Sequence, residues 1–138
     1  MKFLIQADGG SRGNPGPAGS GAVVWDEKKE VVGEVALFLG HTTNNVAEYT
    51  ALIGAFELID AEYGAKAKDA EVYVEMDSKL VIEQMKGAWK VKHPNMKPLH
   101  RRASELATQF KQVRFTHIPR EKNGYADRLA NDAMDRGH

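Results

Sequence analysis

A short apolar run, Phe3-Leu4-Ile5, lies between Lys2 and Gln6 and closes on Ala7-Asp8, which predicts a strand ending in a carboxylate. The stretch that follows, Gly9-Gly10-Ser11-Arg12-Gly13-Asn14-Pro15-Gly16, reads as a loop, because glycine turns sharply and lets other backbone come close. Residues 20–25 and 31–39 predict two further strands, joined by a polar hairpin at 26–30. The pattern then changes period. Thr42-Thr43-Asn44-Asn45 is a helix-start signal, and Leu52, Ala55, Phe56, Ile59 and Tyr63 form an apolar stripe that stops at Gly64. Four residues before Leu52 comes Glu48, so the stripe carries a carboxylate on its buried side, one turn in.

After a polar connection at 65–70, residues 71–76 predict a strand ending at Asp77, and Ser78 caps a short helix over 79–85. A stretch with Pro94 and Pro98 leads into a helix running to about Phe110, and residues 113–118 predict the last strand. A loop over 119–124 precedes a final helix from about Tyr125, with Asp127, Ala130 and Met134 near one face. Three strands in succession, then helices alternating with strands, predict an α/β (α+β) fold: a mixed sheet flanked by helices. At 138 residues, with no linker, repeat or low-complexity tract, residues 1–138 read as one domain.

Composition adds little to this until charge is placed along the chain. The 19 Lys and Arg balance the 19 Asp and Glu, so affinity for a polyanion has to come from local clustering. Such a cluster exists. No Asp or Glu occurs from Gln84 to Ser104, a stretch that holds Lys86, Lys90, Lys92, Lys97, Arg101 and Arg102 with Trp89, His93 and His100. A solvated helix face is the plain alternative, but an acid-free run of this length favours nucleic-acid binding. The absence of cysteine excludes disulfides and thiolate metal sites, and no apolar run reaches the length of a membrane span. With no signal-peptide pattern either, the expected setting is cytoplasmic, without membrane contact.

Four carboxylates stand out by position. Asp8 and Asp77 end strands, Glu48 lies on a buried helical face, and Asp127 falls in the first turns of the last helix. Each has an ordinary reading beside the chemical one. Asp8 before Gly-Gly is a common turn residue. Glu48 sits at capping-box spacing from Asn45, Asp77 stands beside a helix start, and Asp127 complements a helix dipole. Taken together they are harder to explain away, because converging carboxylates repel one another and lose hydration. Divalent cations relieve that cost, and an all-oxygen ligand set suits Mg²⁺ or Mn²⁺.

Four blocks in the sequence carry a resemblance. They are Asp8-Gly9-Gly10-Ser11-Arg12-Gly13-Asn14-Pro15-Gly16, Thr43-Asn44-Asn45-Val46-Ala47-Glu48, Met76-Asp77-Ser78, and Asn123-Gly124-Tyr125-Ala126-Asp127-Arg128-Leu129-Ala130. In order and spacing this set resembles the signature of type 1 ribonuclease H, over essentially the whole chain. The resemblance implies a five-stranded mixed sheet whose first three strands are antiparallel. It implies Asp8, Glu48, Asp77 and Asp127 as ligands of two Mg²⁺ ions, with Mn²⁺ as a substitute. The substrate it implies is the RNA strand of an RNA/DNA hybrid, cut internally to leave 3′-hydroxyl and 5′-phosphate ends. Asn14, Asn44 and Asn45 match positions that read the 2′-hydroxyl, a task suited to amides and carboxamides. Thr43 and Asn95 match a pocket for a phosphate of the DNA strand, and Trp89 is a candidate for packing sugars along that channel.

The resemblance departs from the family pattern in two places. The basic region after the second helix is short, which predicts modest hybrid affinity. A histidine that many members carry in a flexible loop before the last Asp is not obvious here, since His117 belongs to a strand end. Arg120, in the compact loop, is the better candidate for a cation near the leaving phosphate, as in the short-loop branch of the family. The chain opens directly on its first strand, so no separate hybrid-binding module is expected ahead of it, and a monomer is expected. Two competing readings remain: a non-catalytic module binding hybrid or double-stranded RNA, and a superfamily nuclease acting on DNA. Four filled acidic positions oppose the first. The asparagines oppose the second.

Overall fold

Alternation decides which face of each strand is buried. In the computed structural model, which describes all 138 residues, β1 (Lys2–Ser11) buries Phe3, Ile5 and Ala7. β2 (Gly16–Asp26) and β3 (Val31–Thr42) follow as antiparallel neighbours. On the other side of β1 lies β4 (Glu71–Met76), parallel to it, and then β5 (Gln112–His117), parallel to β4. The five-stranded order is β3-β2-β1-β4-β5. Parallel pairs need crossovers. Helix α1 (Asn44–Tyr63) leads from β3 to β4, and α2 (Lys79–Met85) with α3 (Lys97–Ala107) leads from β4 to β5. Helix α4 (Gly124–Arg136) closes the chain, and 3₁₀ turns occupy Gly64–Asp69 and Arg120–Lys122. The mixed sheet with three antiparallel leading strands agrees with the sequence expectation.

The core lies between the sheet and α1. Leu52, Ala55, Phe56 and Ile59 of the predicted stripe are fully buried, and Tyr63 is half-buried with its ring 4.8 Å from that of Phe3. Burying each large side chain of this stripe contributes about 1.5–3 kcal/mol. Such packing holds the axis of α1, and with it the turn that carries Glu48. Thr43 caps the helix, its Oγ1 accepting from the Val46 amide at 3.3 Å, and Gly64 ends it at φ 53°. With Thr43 as the cap, the Asn45–Glu48 capping box does not form, and Glu48 is left to the sheet edge.

α4 packs on the opposite face. Two glycines make the approaches close enough for the site. At Gly9 an added Cβ would lie 2.3 Å from the Ala47 carbonyl carbon and 2.4 Å from the Glu48 nitrogen. At Gly21 it would lie 2.3 Å from the Ala126 oxygen and 2.5 Å from the Ala130 nitrogen. Backbone therefore meets backbone at both points, next to Glu48 in one case and Asp127 in the other.

The boundaries differ from the sequence expectation in four places. β1 does not stop at Asp8 but runs to Ser11, because β2 continues to pair with it through Ser11↔Ala18. β2 accordingly starts at Gly16 and β3 extends to Thr42. α3 ends at Ala107, with a turn covering the remaining residues up to Phe110. No helix is long and apolar enough to cross a membrane.

Candidate active site

β1 and β4 pair as far as Ala7↔Met76, and there the parallel ladder ends. The next residue on each strand is an aspartate. Asp8 remains in the sheet opposite Gly21 of β2, while Asp77 leaves it just ahead of the Ser78 cap of α2. Glu48 arrives from the early turns of α1 and Asp127 from the first turn of α4. All four line one cavity of about 320 Å³, together with Arg120 and Asn44. Four elements distant in sequence thus bring the predicted carboxylates to a common opening.

The electrostatics express that convergence. Asp8 is 8% exposed, and its carboxyl is pushed up to about 8. Burial is the main cause, followed by the Asp77 charge and by a shared hydrogen bond and charge from Asp127. The Gly9 amide, donating to Asp8 Oδ1 at 2.9 Å, opposes the rise. Glu48 is also pushed up to about 8, by burial first and by the Asp77 charge, against a hydrogen bond from Ser78. Both groups sit in a place that resists negative charge unless a cation joins them.

The residues fit a divalent cation on that ground. Their donors are all carboxylate oxygens, as hard cations prefer. No three acidic or histidine side chains close tightly enough to cage an ion by themselves.

The polar neighbours divide into two regions. A small hollow of about 80 Å³ is lined by Asn14, Thr43, Asn44, Asn45, His93 and Asn95. Asn44 belongs to its wall and to that of the acidic cavity. The Asn44 amide donates to Asn14 Oδ1 at 3.1 Å, tying the glycine loop to the start of α1. Asn44 Oδ1 is buried without a hydrogen-bond partner. The second region is a cleft of about 800 Å³ between α2 and α3, with Lys86, Trp89, Lys90, Lys97, His100 and Arg101 in its walls. Trp89 is 44% exposed rather than a core anchor, and the Lys79 amine lies 5.8 Å from its ring centre. This cleft shares no lining residue with the acidic cavity, so Trp89 belongs to the basic surface and not to the carboxylate site.

Arg120 reaches the acidic cavity from the 3₁₀ turn. His117 does not line it. It ends β5, exposed, with Nε2 3.3 Å from the main-chain oxygen of Asp77. Three residues in or beside the site carry no signal in the apolar pattern. Arg12 lines the cavity while paired with Asp135, Ser78 bonds Glu48, and Asn123 is wholly buried against Asp77. Each of these contacts is long-range, and only the assembled sheet reveals it.

Comparison with known proteins adds four likenesses. Residues 6–133 match the family described as reverse transcriptase-like. The bifunctional protein Rv2228c of Mycobacterium tuberculosis is 54% identical over 136 residues, covering 98% of this chain and 36% of that protein. The chain thus spans about a third of the length of that relative. The N-terminal RNase H domain of the same protein, solved as a fusion with maltose binding protein, is 53% identical with a TM-score of 0.90. That likeness covers 98% of this chain and 100% of the solved one. The solved complex of LC11-RNase H1 with RNA/DNA hybrid is 47% identical with a TM-score of 0.90, over 97% of both chains.

Proposed function

The chain belongs to the type 1 ribonuclease H family, and from that premise we propose that it hydrolyses the RNA strand of RNA/DNA hybrids, leaving 3′-hydroxyl and 5′-phosphate ends. One observation carries the reading. Asp8, Glu48, Asp77 and Asp127 share a single cavity whose wall continues, through Asn44, into a hollow lined by asparagines and Thr43. The carboxylates come from one chain, so a monomer suffices.

Each group has work suited to its chemistry. When bound, two Mg²⁺ ions, or Mn²⁺ in their place, would supply Lewis-acid activation of the attacking water and charge stabilisation at the leaving oxygen. Asp8, Glu48, Asp77 and Asp127 would hold these ions. Phosphodiester hydrolysis needs positioning and charge neutralisation rather than a protein nucleophile, so the side chains act by fixing geometry. Asn44, with its unpartnered Oδ1, Asn45 and Asn14 read the 2′-hydroxyl, which is both donor and acceptor. Thr43 and Asn95 hold a phosphate of the DNA strand. The cleft with Lys90, Lys97, Arg101 and Trp89 follows the substrate backbone by charge and stacking. The planar guanidinium of Arg120 grips the departing phosphate in two-point fashion.

A substrate panel tests this directly. Labelled RNA/DNA hybrid, RNA duplex and DNA duplex are incubated with the protein, with Mg²⁺ or with EDTA. The reading expects cuts in the RNA of the hybrid and only with the cation. Binding without cleavage would favour a non-catalytic module, and cleavage of DNA would favour a different nuclease.

A further inference from the structure

Asn123 occupies the N-cap position of α4 yet does not cap it. Asparagine is favoured at that position because its side-chain oxygen accepts from the first helical amides. Here the side chain makes no such bond. The carboxamide turns the other way, into the sheet, and is wholly buried. Nδ2 donates to the Ala7 oxygen at 2.9 Å and to Asp77 Oδ1 at 2.8 Å, which uses both of its protons. Two acceptors facing the same nitrogen settle which end of the amide is which. Oδ1 is left buried with no partner.

A buried acceptor without a bond is unfavourable, and an ordinary cap would have avoided it. The arrangement makes sense from the side of the carboxylates. Ala7 is the last residue of β1 that has β4 as a neighbour, and Asp8 follows it. Asp77 is the corresponding first residue beyond β4. The amide of Asn123 therefore bridges the two strand ends at the point where their own ladder stops. Its main chain reaches the third carboxylate, since the Asp127 amide donates to the Asn123 oxygen at 3.1 Å. One residue touches the Asp77 side chain, the strand that delivers Asp8 and the helical turn that delivers Asp127. No other side-chain hydrogen bond to the Asp77 carboxylate competes for its orientation, because Ser78 is engaged with Glu48 and the Val81 amide.

We propose that Asn123 is a positioning residue, presetting Asp77 and the spacing of Asp8, Asp77 and Asp127 before a cation or substrate arrives. The proposal rests on the ribonuclease H reading of the site and deepens it. Groups that orient metal-holding side chains typically govern affinity by 10–100-fold, and the same range is expected here.

The test uses Asn123→Ala and Asn123→Leu, the second filling the space without a donor, with Asp77→Asn alongside. Mn²⁺ binding to the free protein is measured by calorimetry, and hybrid cleavage is followed as Mg²⁺ is raised. Both Asn123 variants should bind Mn²⁺ roughly 10–100-fold more weakly and need correspondingly more Mg²⁺. KM for the hybrid should be unchanged at saturating Mg²⁺. A purely structural role would lower the unfolding temperature while leaving cation affinity unchanged, and that result overturns the proposal. Should neither variant fold, the wild-type protein still decides. Its Asn123 side-chain amide pair should be protected from exchange in ¹H–¹⁵N spectra and should shift as Mg²⁺ is added. A fast-exchanging pair that stays put contradicts the assignment. Turnover retained by Asp77→Asn would sink the nuclease reading itself. An inactive Asp77→Asn beside Asn123 variants that titrate like wild type would sink only the role of Asn123.

Discussion

Gly21→Ala puts one methyl group where the fold has room for none. Gly21 pairs with Asp8 across the β1–β2 ladder, and the face it turns to α4 meets main chain rather than side chain. The new Cβ would lie 2.3 Å from the Ala126 oxygen, 2.5 Å from the Ala130 nitrogen and 2.9 Å from the Leu129 Cβ. Ordinary contact begins near 3.4 Å, and backbone atoms cannot rotate aside, so α4 has to retreat by about 1 Å. Overpacking of this kind costs roughly 1–3 kcal/mol, and the rigid contact puts Gly21→Ala at about 3 kcal/mol. Asp127 follows Ala126 directly and moves with it. A 1 Å misplacement of a catalytic group costs on the order of 10²-fold in rate, so kcat should fall about a hundredfold while KM changes little. Denaturant unfolding and steady-state cleavage of the hybrid measure the two effects. Gly124→Ala serves as control: it has an open surrounding and lies in α4, so it should stabilise by about 0.4–1 kcal/mol. A Gly21→Ala protein with wild-type stability and turnover would refute the claim that the β2–α4 approach places Asp127.

Three further outcomes follow from the same geometry. Asp8 and Glu48 hold protons near pH 7 that the unfolded chain has shed, so metal-free stability should be greatest below about pH 4 on this account and fall as pH rises towards 8. Stability should decline across that window, and Asp8→Asn should flatten the decline in denaturant titrations with EDTA; stability that rises over pH 5–8 would show the sign to be wrong. Lys90→Ala and Lys97→Ala, both in the basic cleft, should each lower the log–log salt slope of hybrid binding by roughly one, whereas Lys92→Ala, outside its lining, should lower it less; equal slopes in all three would make the cleft an ordinary solvated surface. Arg120→Ala should reduce turnover with little change in affinity, and His117→Ala should leave turnover largely intact; the reverse pattern in well-folded proteins would transfer the role to His117.

What could be read from the chain alone depended on how local the cause was. The stripe from Leu52 to Ile59 and the caps at Thr43, Ser78 and Gly64 are set by residues within a few positions, and the structure has them. The carboxylates were readable from local pattern: Asp8 closes the apolar run that opens β1, Asp77 follows β4, and Glu48 and Asp127 lie in the early turns of α1 and α4. The extension of β1 to Ser11 was not, because it depends on pairing with β2 through a glycine-rich segment that looks like a loop by composition. Asn123 was hidden for a stronger reason. Its partners Ala7 and Asp77 lie 116 and 46 residues away, and nothing within the 119–124 loop points to them. Trp89, a candidate for packing sugars along the phosphate channel, stands exposed in the basic cleft and does not line the hollow of Thr43 and Asn95.

Joint action of the four carboxylates, through divalent cations, on the RNA of a hybrid is what the proposed chemistry stands on. It is tested most directly with hybrid labelled at the RNA 5′ end and compared in Mg²⁺ and in EDTA, using the wild-type protein and Asp8→Asn, Glu48→Gln and Asp77→Asn. RNA fragments with 3′-hydroxyl ends are expected from the wild type in Mg²⁺ alone, and none from the three variants, each still folded. Wild-type turnover in any variant, or cleavage by the wild type in EDTA, would contradict it.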